Sequence, residues 1–244
     1  MDLLSVHEAA VALDVDDSRI RQLLRDGRLL GRRVGGRWLV DGAAVRDRRE
    51  RGARPGRPMS ARNAWGLLAV LAGQVPTGLS DAEKSRLVAR LRNLAVHDQL
   101  PVVRLRELLE ARAETRRYRV HSGMLQAILA HPDVVRAGVS ATGDVGADYV
   151  APGRAEVYAL PDSVGELEAA FGMVRDHDRG NLVVRIPPAD AWPFLTSFTQ
   201  KGAAPSSVVA ADLLDIYEDR ANAAAVGLLR PLLAHYPQPG GRRS

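Results

Sequence analysis

The sequence predicts an α+β protein, mostly helical, with a small N-terminal unit followed by a larger unit of mixed helices and strands. Three observations carry that prediction. Apolar residues recur at helical spacing near the N-terminus and again from Ser60 to Arg119, while short apolar runs such as Ala155–Ala159 and Asn181–Ile186 read as buried strands. The stretch Ala53-Arg54-Pro55-Gly56-Arg57-Pro58 combines two prolines, a glycine and charges, which disfavour both helix and packed strand and mark a boundary. Charge is also unevenly placed. The net charge is +5, yet Met1–Arg62 holds 14 arginines against 9 acids and the remainder is balanced at 20 and 20. A local basic excess reads as a footprint for a polyanion, most often nucleic acid.

In chain order, Ser5-Val6-His7-Glu8 matches a capping box and opens a helix to about Leu13, burying Val6, Ala9, Ala10 and Leu13. The turn Asp14–Asp17 leads to a second helix, Ser18–Asp26, with the stripe Ile20, Leu23 and Leu24 and a C-cap glycine at Gly27. Leu29–Val40 reads as a hairpin turning at Gly35-Gly36. Asp41 can cap a third helix, Ala43–Arg51. Beyond the boundary, Trp65, Leu67, Leu68 and Leu71 share a helix that stops at Gly73–Gly78, and Ser80-Asp81-Ala82-Glu83 is a second capping box. A third helix is expected over Val103–Arg117, then a short helix at Met124–Leu129, a strand at Val134–Val139, and a helix at Val164–Phe171. Ser206 is expected to cap a helix to Leu214, and a last run, Arg220–Leu233, to break at Pro231. The domain reading is therefore 1–52, a linker over 53–59, a helical segment over 60–119, an α+β domain over 120–236 and a disordered tail over 237–244.

The same reading finds no enzyme, metal or cofactor. There is no cysteine, which excludes disulfides and thiolate metal sites and suits a cytoplasmic protein. No apolar run approaches a membrane span. The six histidines are scattered without ligand spacing, and Asp176-His177-Asp178 reads as a solvated turn before Arg179-Gly180. Gly143-Asp144 and Asp148 lack the glycine-serine that would position a triphosphate for nucleotidyl transfer, and no phosphate-binding glycine loop is present.

The N-terminal unit carries the chemistry. With Ile20, Leu23 and Leu24 pointing inward, Ser18, Gln22 and Arg25 point out and Arg19 and Arg21 flank them. Arginine reads guanine through two hydrogen bonds and glutamine can read adenine. Arg33 and Arg37 flank the hairpin tip, where glycines allow close approach to a phosphate or the minor groove. Helix, turn, helix and a glycine-tipped basic hairpin, in that order, constitute a winged helix-turn-helix. Ser18, Arg19, Arg21, Gln22, Arg25, Arg33 and Arg37 are its expected DNA-contacting residues.

The segments Leu4–Ala10, Ser18–Gly27 and Arg33–Val40 resemble the excisionase and MerR-type winged-helix domain. In the rest of the chain, Val135–Ala141 with Gly146-Ala147-Asp148, then Asn181–Ile186 with Trp192-Pro193, then Val208–Leu214 with Asp219-Arg220 and Ala223–Ala225 resemble AbiEi-like antitoxins, with Val145 where many members carry a histidine. That resemblance implies a type IV antitoxin. Such a protein represses its own operator on double-stranded DNA and counters a nucleotidyltransferase-type toxin without, as a rule, a stable complex. A homodimer on DNA is expected because one small domain offers a limited interface. A ligand- or partner-responsive transcription regulator without a toxin is the alternative, and an excisionase-like architectural factor is disfavoured by the length beyond the linker. Asp212, Asp219 and Arg220 read as exposed caps and pairs with no assigned role.

Overall fold

Ser5 does two jobs at the start of the chain. It ends a short strand, β1 (Leu3–Ser5), and caps α1 (Val6–Leu13): its Oγ accepts from the Glu8 N–H at 3.1 Å, and the Glu8 carboxylate accepts from the Ser5 N–H at 2.6 Å. The computed structural model describes residues 3–13, 15–25, 29–42, 44–45, 59–96, 100–197 and 202–236. The expected cap at Gly27, most of the helix after Asp41, the Ala53–Pro58 linker and the tail over 237–244 lie outside them. The chain divides into two units, Met1–Arg57 and Pro58–Ser244.

In the first unit α1 is followed by α2 (Asp17–Arg25), β2 (Gly31–Val34) and β3 (Arg37–Asp41). The sheet is antiparallel in the order β1-β3-β2. β1 is too short to show alternation and leaves no signal in the sequence. Its Leu4 pairs with Val40, and Val34 pairs with Arg37 across a two-residue turn. Gly35 and Gly36 both have positive φ, 56° and 80°, the turn whose twist matches the strands. Ala9, Ala10, Ile20, Leu23, Leu24, Leu29, Val40 and Val45 form the core. A side chain at Gly31 would strike Leu24 and the Leu39 carbonyl, so the hairpin lies directly against α2. The Asp41 carboxylate accepts from the Ala44 N–H at 3.2 Å, as a cap should.

The second unit opens with three helices, α3 (Ala61–Leu71), α4 (Asp81–Ala95) and α5 (Val102–Leu109). Ser80 and Glu83 form the reciprocal capping box of α4. β4 (Glu114–Arg119), α6 (Leu125–Leu129), β5 (Val134–Arg136), α7 (Thr142–Val145), β6 (Ala155–Ala159), α8 (Pro161–Phe171), β7 (Val174–Arg175) and β8 (Leu182–Ile186) then build a mixed sheet in the order β5-β6-β8-β4-β7, in which β6 and β8 are parallel. α9 (Trp192–Ser197), α10 (Ser206–Leu214) and α11 (Asp219–Leu233) close the unit. One face of the sheet, with Tyr118, Val157, Leu182 and Val184, packs on Ile128 of α6 and Val164 and Leu167 of α8. From the other face Val135 and Tyr158 enter a larger core with α3, α4, α5, α10 and α11.

Four expectations need correcting. The helix expected over Val103–Arg117 ends at Leu109, and residues 114–119 are a strand paired to β8 from Glu114↔Ile186 to Tyr118↔Leu182. Arg116, Arg117 and Arg119 mask its period of two, and only Tyr118 of the strand is fully buried. The strand expected to reach Val139 stops at Arg136, because Gly138 turns the chain at φ 43°. Ser206 is the first helical residue and not the cap, since Pro205 occupies that position. α11 runs through Pro231, which sits in its last turn and removes only one late amide.

Candidate functional site

Asp16 sets up the exposed face of α2. Its carboxylate accepts from the Arg19 N–H at 2.9 Å and from the Ser18 hydroxyl, bonds that hold the carboxyl below its ordinary range, so a negative charge stands at the positive end of the helix dipole. Ile20, Leu23 and Leu24 are buried as the wheel requires. Ser18, Arg21, Gln22 and Arg25 are exposed, and Arg19 is half-buried at their edge. These side chains are ordered by one another. Arg19 Nη1 donates to Gln22 Oε1 at 2.8 Å, Arg21 pairs with Asp17 at 3.4 Å, and Arg25 Nε donates to the Arg21 carbonyl at 3.2 Å. Such surface interactions stabilise by at most ~1 kcal/mol each and exchange readily for a ligand. On the hairpin Arg33 lies opposite Trp38, its guanidinium 6.0 Å from the ring centre, and Arg37 is exposed one residue past the glycine turn. All seven residues thus lie in one small unit, five on α2 and two on the hairpin packed against it.

The larger unit holds a second constellation, buried between sheet and α10. Arg112 follows α5, Glu156 and Tyr158 lie on β6, Arg185 on β8, and Asp212 and Asp215 at the end of α10. Asp212 is 0% exposed, Arg112 1%, Arg185 4% and Glu156 7%. Arg112 Nη2 reaches Asp212 at 2.7 Å and Asp215 at 2.6 Å. Arg185 reaches Asp215 at 2.7 Å, Asp212 at 3.3 Å and Glu156 at 3.4 Å. The Tyr158 hydroxyl donates to Asp212 Oδ1 at 2.8 Å, and the Gly138 N–H donates to Oδ2 at 3.2 Å. The Trp65 indole N–H donates to the Arg112 carbonyl at 2.7 Å, tying α3 to the cluster. Burial pushes the Glu156 carboxyl up to about 6, against the pull of Arg185. Burial also works to raise Asp215, but Arg112 and Arg185 outweigh it and hold Asp215 below its ordinary value.

Sequence reasoning does not find this cluster, and Asp212, expected to be exposed, is instead its centre. A signal exists: single charges interrupt otherwise apolar runs in Leu182–Ile186 and Val208–Leu214. Asp219 and Arg220 are exposed, and Arg220 lines a shallow cleft of about 370 Å³ with Asp148, Ala223 and Gly227. Asp176 Oδ1 accepts from the Asp178 and Arg179 N–H groups in an exposed turn, and Asp144 pairs with Arg136 at 3.2 Å. Among the described residues no group of three or more His, Asp or Glu is placed to hold a metal ion, and no helix is long and apolar enough to cross a membrane.

Comparison with protein families places a match on the larger unit. A family described as "Transcriptional regulator, AbiEi antitoxin, Type IV TA system" matches residues 106–231, more than half of the chain. The matched stretch carries Arg112, Glu156, Tyr158, Arg185, Asp212 and Asp215. No curated protein and no solved structure matches.

Proposed function

Because the chain belongs to the AbiEi antitoxin family of type IV toxin–antitoxin regulators, we infer that its first unit is a winged helix-turn-helix that represses its own operon and its second unit counteracts a nucleotidyltransferase-type toxin. The observation that carries the DNA reading is the outer face of α2: Ser18, Gln22 and Arg25 exposed over a buried stripe, beside an arginine hairpin in the same small unit. Helix residues suit base edges in the major groove, and Arg33 and Arg37 suit phosphate.

Helix and hairpin variants separate these roles. Arg33→Ala or Arg37→Ala weakens binding to all duplexes alike and lowers the salt slope by about one for each phosphate left unneutralised. Gln22→Ala or Arg25→Ala relaxes base preference by ~1–3 kcal/mol at one position. Titration on operator and random DNA at several salt concentrations checks this, and the assignment fails if the hairpin variants alone change sequence preference. Two copies on half-sites roughly one helical turn apart, or a multiple, are the expected footprint.

The division of labour is tested by co-expression with the product of the adjoining reading frame in a host that the product arrests. The full chain restores growth and represses the promoter, residues 58–244 restore growth without repression, and residues 1–57 restore no growth. If the full chain does not rescue, the antitoxin reading is wrong and a ligand-responsive regulator takes its place.

A further inference from the structure

The buried cluster is unequal in charge. Two guanidinium groups, Arg112 and Arg185, face three carboxyl groups, Glu156, Asp212 and Asp215. Both aspartates lie close to the arginines, at 2.6 to 2.7 Å, whereas Glu156 has one long approach of 3.4 Å to Arg185. Glu156 is also pressed against the backbone: a Cβ built on Gly138 falls 1.9 Å from its Oε2. The surroundings are Arg185 on β8, Asp212 and Asp215 on α10, Arg117 on β4, Tyr149 beyond α7, and Tyr158 on its own strand. Arg117 is in register with Glu156 across Val183, so it stands on the same face of the sheet, where burial lowers its guanidinium and Glu156 is its leading charge neighbour, though the two do not form an ion pair. Among the described residues Arg185 is the one cation that forms an ion pair with Glu156.

We propose that this cluster is a proton-operated latch on the α10–α11 pair: a proton on Glu156 balances the two guanidinium groups against the two aspartates and holds the helices against the sheet, and its loss leaves beneath α10 a negative charge paired only through the long Arg185 contact, which loosens them. The latch belongs to the fold of the larger unit and stands whether or not the toxin assignment holds. The sign follows from linkage. Glu156 binds its proton more tightly when buried, with its carboxyl near 6 against an ordinary value of 4.5. The stabilisation is therefore full below about 4.5 and is lost as pH rises through about 6.

Amide hydrogen exchange on the full chain tests the latch, with wild type compared to Glu156→Gln at each pH so that the intrinsic pH dependence of exchange cancels. In α10, wild type is expected to open about thirtyfold more than Glu156→Gln at pH 7.5 and about twofold more at pH 4.5, with no difference in the first unit. An equal ratio at both pH values, or a Glu156→Gln protein that opens more than wild type, overturns the proposal. Should Glu156→Gln fail to fold, the carbon-13 carboxyl titration of wild-type Glu156 decides: a midpoint near 6 supports the latch, and one at or below 4.5 overturns it.

Discussion

Asp212→Ala is expected to lower the unfolding free energy of the larger unit by ~3 kcal/mol at pH 7. The wild-type carboxylate accepts from Arg112, Tyr158 and the Gly138 N–H and faces Arg185. Its removal leaves the Tyr158 hydroxyl proton and the Gly138 amide without an acceptor, at a cost of ~1–3 kcal/mol for a fully orphaned group, and strips one partner from each guanidinium. An opposing effect sets the net value. With Asp212 gone the cluster balances at two cations and two carboxylates, so Glu156 ionises more cheaply, which returns at most ~2 kcal/mol. The broken hydrogen bonds outweigh that return. Urea unfolding followed by circular dichroism measures the change, with exposed Asp219→Ala as a control expected within ~0.5 kcal/mol of wild type. A destabilisation under ~1 kcal/mol for Asp212→Ala would mean that the hydrogen bonds around it are dispensable.

Gly138→Ala should cost about as much, by a different route. The added methyl meets the Glu156 carboxylate at a distance no carbon and oxygen tolerate, and φ 43° is left-handed backbone. Backbone strain of ~1–2 kcal/mol and overpacking of ~1–3 kcal/mol together give ~3 kcal/mol. The two parts separate in a double-mutant cycle. In a Glu156→Ala background the carboxylate collision is gone and the strain remains with one tight contact, 3.3 Å to the Cβ of residue 156, so Gly138→Ala should cost ~1–2 kcal/mol there. Strict additivity would show that Glu156 moves aside freely.

Where local chemistry decides the structure, the sequence is sufficient. Both capping boxes, the Gly35-Gly36 turn, the buried stripe of α2 and the strands β6 and β8 follow from spacing and turn residues alone. Where distant pairing decides, it is not. β4 reads as a charged helix because its strand character comes from β8, some seventy residues away. Ser206 has the composition of a cap, but the chain enters α10 one residue earlier. The buried cluster is hidden for the same reason. Its members are dispersed from Arg112 to Asp215, and nothing local tells an interior aspartate from an exposed one. The α2 face is legible because its five residues, Ser18 to Arg25, lie close together in sequence along one short helix.

The separation along the chain between Arg112 and its partners also bears on how the protein is made. Arg112 and the strand that follows it wait for β8 and then for Asp212 and Asp215, about a hundred residues later. At ~5–20 residues per second the ribosome takes roughly 5–20 s to supply them. The first unit closes on itself within residues 1–57 and can fold while the remainder is still being synthesised. Through that interval α3 to α5 and the early strands expose apolar surface without the closing helices. On each nascent chain the first unit is therefore complete seconds before the second.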